Sequence, residues 1–369
     1  MRPLVVAVNG VTGRMGRTRH LHGALLPLQR SGIRSAGRRR ELDLVLVGRR
    51  AAAVSQLARE HGVRRWSTDL DAVLGDPEVD VYFDAQRSGL RSGAVTAAIK
   101  ARKHLYCEKP LALDGAAALE LARDAEQAQI RTGMVQDKLF TPGFRALRSV
   151  LAAGALGRIL DVRGDFGYWV SADAAGRPQR PSWNYRRADG GDFIADLFSH
   201  WYYLLAMVGT PLAVSALLAT HVPRRHDESG RPYDVDVEDL GHVLVRLHGG
   251  VTGVISTSWI QRPPTPFTLT LHGTRATAMA TPDACTLSTA TLPAPGATPV
   301  PRQQPVPMPP QEDEFLSQWR QFLEHVAGDT PFPWTFCYAA RAALFCDAIR
   351  NSGRRGTWCD VPEDTGDVR

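Results

Sequence analysis

The tightest constraint on this chain lies at its start. Leu4–Asn9 is a strand-like run, apolar through Val8, that breaks at Gly10, and Gly13 and Gly16 follow before a helix-like stretch through Leu28. Glycines at a strand–helix junction permit a tight turn and let backbone N–H groups approach a pyrophosphate at the positive end of the helix. The spacing is GxxGxxG rather than the commoner GxGxxG, so position carries more weight than pattern. Three glycines serving only close packing is the alternative. The alternation then continues, with strand-like runs at Leu42–Val47, Val79–Phe83 and His104–Cys107. Helix-like runs lie between and after them at Ala51–His61, about Gly93–Arg102 and Gly115–Gln129. This predicts an α/β, doubly wound parallel sheet over residues 1–139, built to bind a dinucleotide.

The pattern changes after Pro142. Ile159–Tyr168, Val214–Thr220, Gly241–Arg246, Val251–Ser258 and Phe267–Leu271 alternate with period two, as strands with one wet face do. Residues 140–369 are therefore expected to form an α+β domain around a large, open, mainly antiparallel sheet. Eight of the twenty residues in Thr291–Pro310 are proline, which predicts an extended loop. Glu312–Ala327 and Ala339–Ser352 read as closing helices of this second domain, at about 312–352. An open sheet must cover its apolar face, so a homodimer or homotetramer through the C-terminal sheet is expected.

Composition excludes several classes. The 369 residues carry 44 basic and 38 acidic side chains, a net charge of +6, yet only Lys100, Lys103, Lys109 and Lys138 are lysines. The arginines are dispersed and no nucleic-acid motif accompanies them, which argues against a nucleic-acid partner. No apolar run reaches the roughly 18–20 residues of a membrane span, and the opening apolar run is too short for a secretory signal. The five cysteines show no CxxC and no metal-ligand spacing, so neither a metal site nor a disulfide scaffold is expected. A cytoplasmic protein is the expectation.

Cofactor choice is read after the second strand, where an NAD enzyme places an Asp or Glu for the ribose hydroxyls. Here that strand ends Val47-Gly48-Arg49-Arg50. Two guanidiniums suit a 2′-phosphate, so NADP is preferred over NAD. A solvated surface pair is the alternative.

At Glu108-Lys109-Pro110 the sequence resembles the glucose–fructose oxidoreductase and myo-inositol dehydrogenase family. Lys103–Leu113 (KHLYCEKPLAL) is similar to that family's mid-domain signature. Gly190-Gly191-Asp192 through Asp196 and His200 is similar to its glycine-rich entry to a helix, and His272-Gly273-Thr274 to a recurring edge of its sheet. The resemblance spans nearly the whole chain, with the motifs in the family's order. It implies a Rossmann domain, a substrate domain with an open sheet, and a nicotinamide lying between them. It also implies hydride transfer between a secondary alcohol and a ketone on a sugar, amino sugar or cyclitol-like polyol. Lys109, Asp196 and His200 fall on the family's acid–base residues.

The cofactor positions so implied are Gly10, Val11, Thr12, Gly13, Arg14, Met15, Gly16, Arg49, Arg50, Ala85, Gln86, Glu108, Lys109 and Gln136. Tyr168, Trp183 and Tyr185 are candidates to wall the substrate, alongside Lys109, Asp196 and His200. Two departures stand out. Asp84-Ala85-Gln86 replaces the family's frequent Thr-Pro-Asn, and Tyr203 replaces a frequent acid three residues after the histidine.

These residue types fit the chemistry. Asp196 and His200, four apart, share one helix face. A histidine titrates near neutrality and can take a hydroxyl proton as hydride leaves the same carbon. Lys109 can donate to the substrate oxygen, and burial in a cleft would lower its pKa. Lys109 and His200 both remain open as the formal base. Two other readings compete: a redox-neutral relative catalysing elimination or glycoside cleavage with the same residues, and a non-catalytic nucleotide-binding regulator. The opening also resembles that of dihydrodipicolinate reductases, but those chains are much shorter and carry a His-His pair absent here.

Overall fold

The computed structural model describes residues 2–35, 37–170, 180–291, 300–328 and 330–362. It divides into two compact units. The first comprises the chain up to Phe140 together with Glu312–Ala343. In chain order it runs β1 (Leu4–Asn9), a π-helix (Met15–Leu25), α1 (Leu26–Ser31), β2 (Ile33–Ser35), β3 (Arg38–Arg40), β4 (Leu42–Val47) and α2 (Ala51–His61). Then come β5 (Arg65–Ser67), α3 (Leu70–Gly75), β6 (Val81–Asp84), α4 (Ser88–Lys100), β7 (His104–Cys107), α5 (Gly115–Gln127) and β8 (Thr132–Met134). Six strands form a wholly parallel sheet in the order β5-β4-β1-β6-β7-β8. Chain order reverses between β1 and β6, the place where doubly wound sheets bind ligands outside their strand ends. Strands β1 and β6 are buried at every position, as a sheet covered on both faces requires.

Two local features stand out. The arginine-rich stretch 31–40 contains the short hairpin β2–β3, in which Ile33 and Ser35 are buried. The helix after the glycine turn is wound as a π-helix. The Leu26 N–H reaches the Leu21 carbonyl, five residues back, and Gly16, His20 and Ala24 are buried at a stride of four. π-Winding is rare and clusters at functional sites.

The second unit comprises Thr141–Gln311 and, among the described residues after it, 344–362. It opens with α6 (Pro142–Ala152), β9 (Ile159–Trp169), α7 (Phe193–Leu205) and β10 (Pro211–Ala219). There follow β11 (Arg224–His226), β12 (Pro232–Asp234), β13 (Leu240–Leu247), β14 (Thr252–Ser258) and β15 (Ile260–Gly273). The run ends with β16 (Thr277–Ala280), β17 (Cys285–Thr291) and β18 (Val300–Pro305). With β19 (Cys359–Asp360), nine strands form one sheet in the order β18-β17-β16-β15-β9-β14-β13-β10-β19. Only the β9–β14 pair is parallel. Within the proline-rich stretch expected as a loop, 300–305 instead forms β18, paired with β17. Residues 292–299 of that stretch lie outside the described residues. β18 is an edge strand, where a proline without N–H is tolerated.

The closing helices also differ from the expected boundary at residue 140. Helix α8 (Glu314–Ala327) belongs to the first unit, and α9 (Phe336–Arg355) begins there and ends in the second. The reason is apolar: Phe315, Trp319 and Phe322 on α8 are buried in an aromatic cluster with His20, Phe83 and Tyr106 of the parallel sheet and π-helix.

Candidate functional site

In the first unit the glycine turn is closed by the main chain of the neighbouring loop. Gly10 has φ +80°, and a Cβ there would lie 2.7 Å from the carbonyl carbon and oxygen of Ala85. A Cβ on Gly16 would collide with the Gly10 carbonyl, and the Gly13 N–H donates to that same carbonyl at 2.9 Å. Only glycines leave main chain alone at this crossing of β1 and β6, which is the surface a pyrophosphate needs. The residues present therefore fit a dinucleotide. Val11 is fully buried and offers its backbone only, whereas Thr12, Gly13, Arg14 and Met15 keep surface accessible. A Cβ on Gly48 would lie 3.8 Å from the Thr12 methyl, so the turn and the end of β4 adjoin. Arg49 and Arg50 follow, both exposed at the start of α2, and their guanidiniums make no hydrogen bond or ion pair with another described residue.

Beneath this crossing lies a buried polar network. Asp84, fully buried, accepts from Arg91 Nε at 3.1 Å, the Tyr82 hydroxyl at 2.7 Å, and the Gln86 N–H and Nε2 at 3.0 and 2.8 Å. Burial, and then the charge of Asp84, pushes the Tyr82 phenol well up, so it serves as a donor. Arg91 also donates to the carbonyls of Gln86, at 2.8 Å, and Pro110. Asp84-Ala85-Gln86 thus forms a self-bonded turn, and Arg91 ties it to the Glu108–Pro110 segment.

That segment leaves β7 beside the turn, with the Glu108 N–H donating to the Asp84 carbonyl at 2.9 Å. Lys109 is half-buried at this sheet edge. The Glu108 carboxylate accepts from the Lys109 N–H at 3.2 Å and lies 2.8 Å from His20 Nε2. Burial acts to raise the Glu108 pKa, but the His20 hydrogen bond and the Lys109 charge outweigh it and hold the carboxyl below its ordinary value. Gln136, just past β8, is buried, and its N–H donates to Gln318 at 3.0 Å. The structure thus gathers Gly10–Gly16, Ala85, Gln86, Glu108 and Lys109 along one sheet edge.

In the second unit, α7 starts where Asp192 caps the Ala195 N–H at 2.8 Å and pairs with Arg350. The preceding glycines are needed sterically. Gly190 has φ +85°, and a Cβ on Gly191 would strike the carbonyls of Trp183 and Asn184. Asp196 and His200 lie one turn apart on α7. His200 is buried, its Nδ1 2.5 Å from the Tyr203 hydroxyl. A phenol thus hydrogen-bonds the imidazole at the position where Tyr203 departs from the acid frequent in the resembled family.

Asp196 is paired with Arg180 at 2.6 Å, and that guanidinium lies over the rings of Trp259 and Tyr168, 4.7 and 5.7 Å from their centroids. Tyr168 and Trp183 keep part of their surface accessible. Tyr185 is buried, edge-on to Trp259 and under Arg225, and burial pushes its phenol up to about 12.

Sequence reasoning missed His20, Arg91, Trp319, Arg180 and the role of Tyr203. Only the unexpected Tyr203 gave a local signal. His20 and Trp319 meet their partners across distant sequence; Arg91 and Arg180 meet theirs nearby, but one arginine among 40 draws no notice.

The chain resembles known proteins along its length. Residues 5–135 match the "Oxidoreductase family, NAD-binding Rossmann fold", and residues 144–279 the "GFO/IDH/MocA C-terminal domain". The D-xylose dehydrogenase of Paenarthrobacter nicotinovorans is 38% identical over 98% of both chains. The levoglucosan dehydrogenase of Pseudarthrobacter phenanthrenivorans is 27% identical over 55% of each. Among solved structures, a levoglucosan dehydrogenase in complex with NADH and L-sorbose superposes with a TM-score of 0.86. That match is at 23% identity and covers 98% of this chain and all of the other, so it shows the shared fold.

Proposed function

The chain belongs to the GFO/IDH/MocA family of NAD-binding oxidoreductases, and we propose that it oxidises a CH–OH carbon of a sugar or related polyol, with D-xylose the first substrate to test. The observation that carries this reading is the placement of Lys109 at the end of β7, beside the turn where Gly10 meets Ala85–Gln86. A bound nicotinamide supplies the hydride acceptor. The chain's own residues handle the proton. Lys109 and His200, which is hydrogen-bonded to Tyr203, serve together as the acid–base groups toward the substrate hydroxyl, with Asp196 and Arg180 binding substrate. Gly10–Gly16, Ala85, Gln86, Glu108 and Gln136 hold the cofactor; Tyr168, Trp183 and Tyr185 wall the substrate.

Purified protein assayed for reduced-nicotinamide absorbance against an aldose and cyclitol panel tests the reading. Turnover with at least one pentose or hexose is the expected result, and binding of cofactor without absorbance change across the panel would overturn it.

For the cofactor the reading is NADP, supported by the exposed guanidiniums of Arg49 and Arg50, which pair with no other described residue and follow Gly48 beside Thr12. Arg49→Ala removes one charge-assisted bond, about 1.5–3 kcal/mol, so the KM for NADP is expected to rise about 10- to 100-fold with NAD little changed. Equal loss for both cofactors would sink the 2′-phosphate assignment. A homo-oligomer through the C-terminal sheet is supported by Leu217, Leu244 and Met279, exposed on one sheet face by register. A cytoplasmic location is proposed from the cysteine count and spacing; separately, no helix among the described residues is long and apolar enough to cross a membrane.

A further inference from the structure

We propose that His20 and Trp319 are positioning residues for the proton-transferring Lys109, acting through Glu108. The inference rests on the acid–base reading of Lys109. His20 is fully buried on the π-helix that follows the glycine turn. Its Nδ1 lies 2.9 Å from Trp319 Nε1, and its Nε2 lies 2.8 Å from Glu108 Oε1. An indole N–H only donates, so Nδ1 must accept, and the ring proton is directed from Nε2 onto Glu108. Trp319 thereby selects the tautomer. The other Glu108 oxygen accepts the N–H of Lys109, so a hydrogen-bonded path of three side chains ends on the lysine's own backbone.

On its far side this segment is held by Arg91, which donates to the Pro110 carbonyl. The residue that carries the ammonium is bracketed by two buried clamps. One of them starts on the helix whose N-terminal turn is the dinucleotide cradle. A π-turn places His20 at this depth, four residues from Gly16, with Ala24 four further on. Packing alone does not call for an imidazole here, since Phe83 and Phe315 already surround the site with apolar rings. A buried donor aimed at a buried carboxylate is the specific feature.

The titratable and charged groups around Glu108 are His20 from the π-helix, Lys109 next in the chain and Asp137 from the segment after β8. Tyr106 and Cys107 precede it, and burial pushes both well up, so they stay neutral. Without the His20 donor, burial becomes the governing influence on Glu108 and raises its pKa.

The test compares His20→Leu, His20→Gln and Trp319→Phe in the full chain. For His20→Leu the expected result is a kcat at least tenfold lower, with its acid limb moved up by at least one pH unit. His20→Gln, which restores an N–H toward Glu108, should return the limb to within about half a unit. Trp319→Phe should give a smaller shift in the same direction.

A readout independent of turnover is the urea midpoint. Wild-type Glu108, with its pKa depressed, adds stability above the unfolded-state pKa and loses it as pH falls. A raised Glu108 does the reverse, so the gap between wild type and His20→Leu should widen from about pH 4.5 to pH 7. Folded His20→Leu protein with an unmoved acid limb and a pH-independent gap would overturn the proposal in favour of packing. Should His20→Leu fail to fold, Trp319→Phe decides: an unmoved limb overturns it and a shifted limb upholds it. Failure of the lysine reading would show separately, as a Lys109→Ala enzyme that keeps near-normal turnover, whatever the stability gap between wild type and His20→Leu.

Discussion

Lys109→Ala is expected to lower kcat by about 10²–10⁴-fold, the range a positioned proton-transfer group contributes, while cofactor affinity changes little. The separation of the two effects follows from where the residue's bonds lie. Its backbone is fixed by Glu108, whose N–H is held by Asp84 and whose carboxylate takes the Lys109 N–H, and the next carbonyl is held by Arg91. These bonds are made by the backbone and by neighbouring side chains rather than by the ammonium, so the alanine variant retains them while losing the donor. Lys109→Arg should restore little, because a planar fork on a longer stem presents its charge differently from a compact ammonium. Single-turnover kinetics with saturating cofactor and fluorescence titration of reduced cofactor check both halves. An alanine variant within a few-fold of wild type would remove Lys109 from the chemistry. Parallel loss of turnover and cofactor binding would instead make it a binding residue.

The parts of this site that were legible in sequence are those whose function is local. Gly10, Gly13 and Gly16 could be read because a turn that admits no Cβ demands glycine at closely spaced positions, and Gly10 does abut Ala85. Asp196 and His200 could be read because helical spacing alone places them one turn apart. Glu108-Lys109-Pro110 could be read because the contiguous stretch Lys103–Leu113 resembles a family signature.

What stayed hidden depends on approach across the fold. Trp319 and His20 are 299 residues apart, and nothing near either predicts that they meet. Helix α8 was assigned with its sequence neighbours, yet its aromatic face belongs to the first unit's core. The π-winding left no mark either, since the residues that follow Gly16 suit an ordinary helix as well. β18 was hidden by its prolines, which rule out a central strand but not an edge.

Asp84→Asn is expected to destabilise the first unit by about 3–5 kcal/mol, the cost of stranding a buried charge. Arg91 is 2% exposed and has one carboxylate for its charge; its other partners are the carbonyls of Gln86 and Pro110. An asparagine fills the same volume and can still accept one bond, but leaves the guanidinium uncompensated in a low-dielectric setting. The reciprocal change should cost less. In Arg91→Met the Asp84 carboxylate keeps Tyr82 and both donors of Gln86. Removing both charges, as Asp84→Asn with Arg91→Met, should recover a large part of the loss, because neither charge is then stranded. Denaturant midpoints of the two single variants and the double variant give the cycle directly. Since Arg91 also holds the Pro110 carbonyl, Asp84→Asn protein that remains folded should bind cofactor more weakly than wild type. An unchanged midpoint for Asp84→Asn would mean that water or a rearranged Arg91 supplies the missing charge compensation, and the network would then not be what fixes Gln86 and Pro110 at the sheet edge.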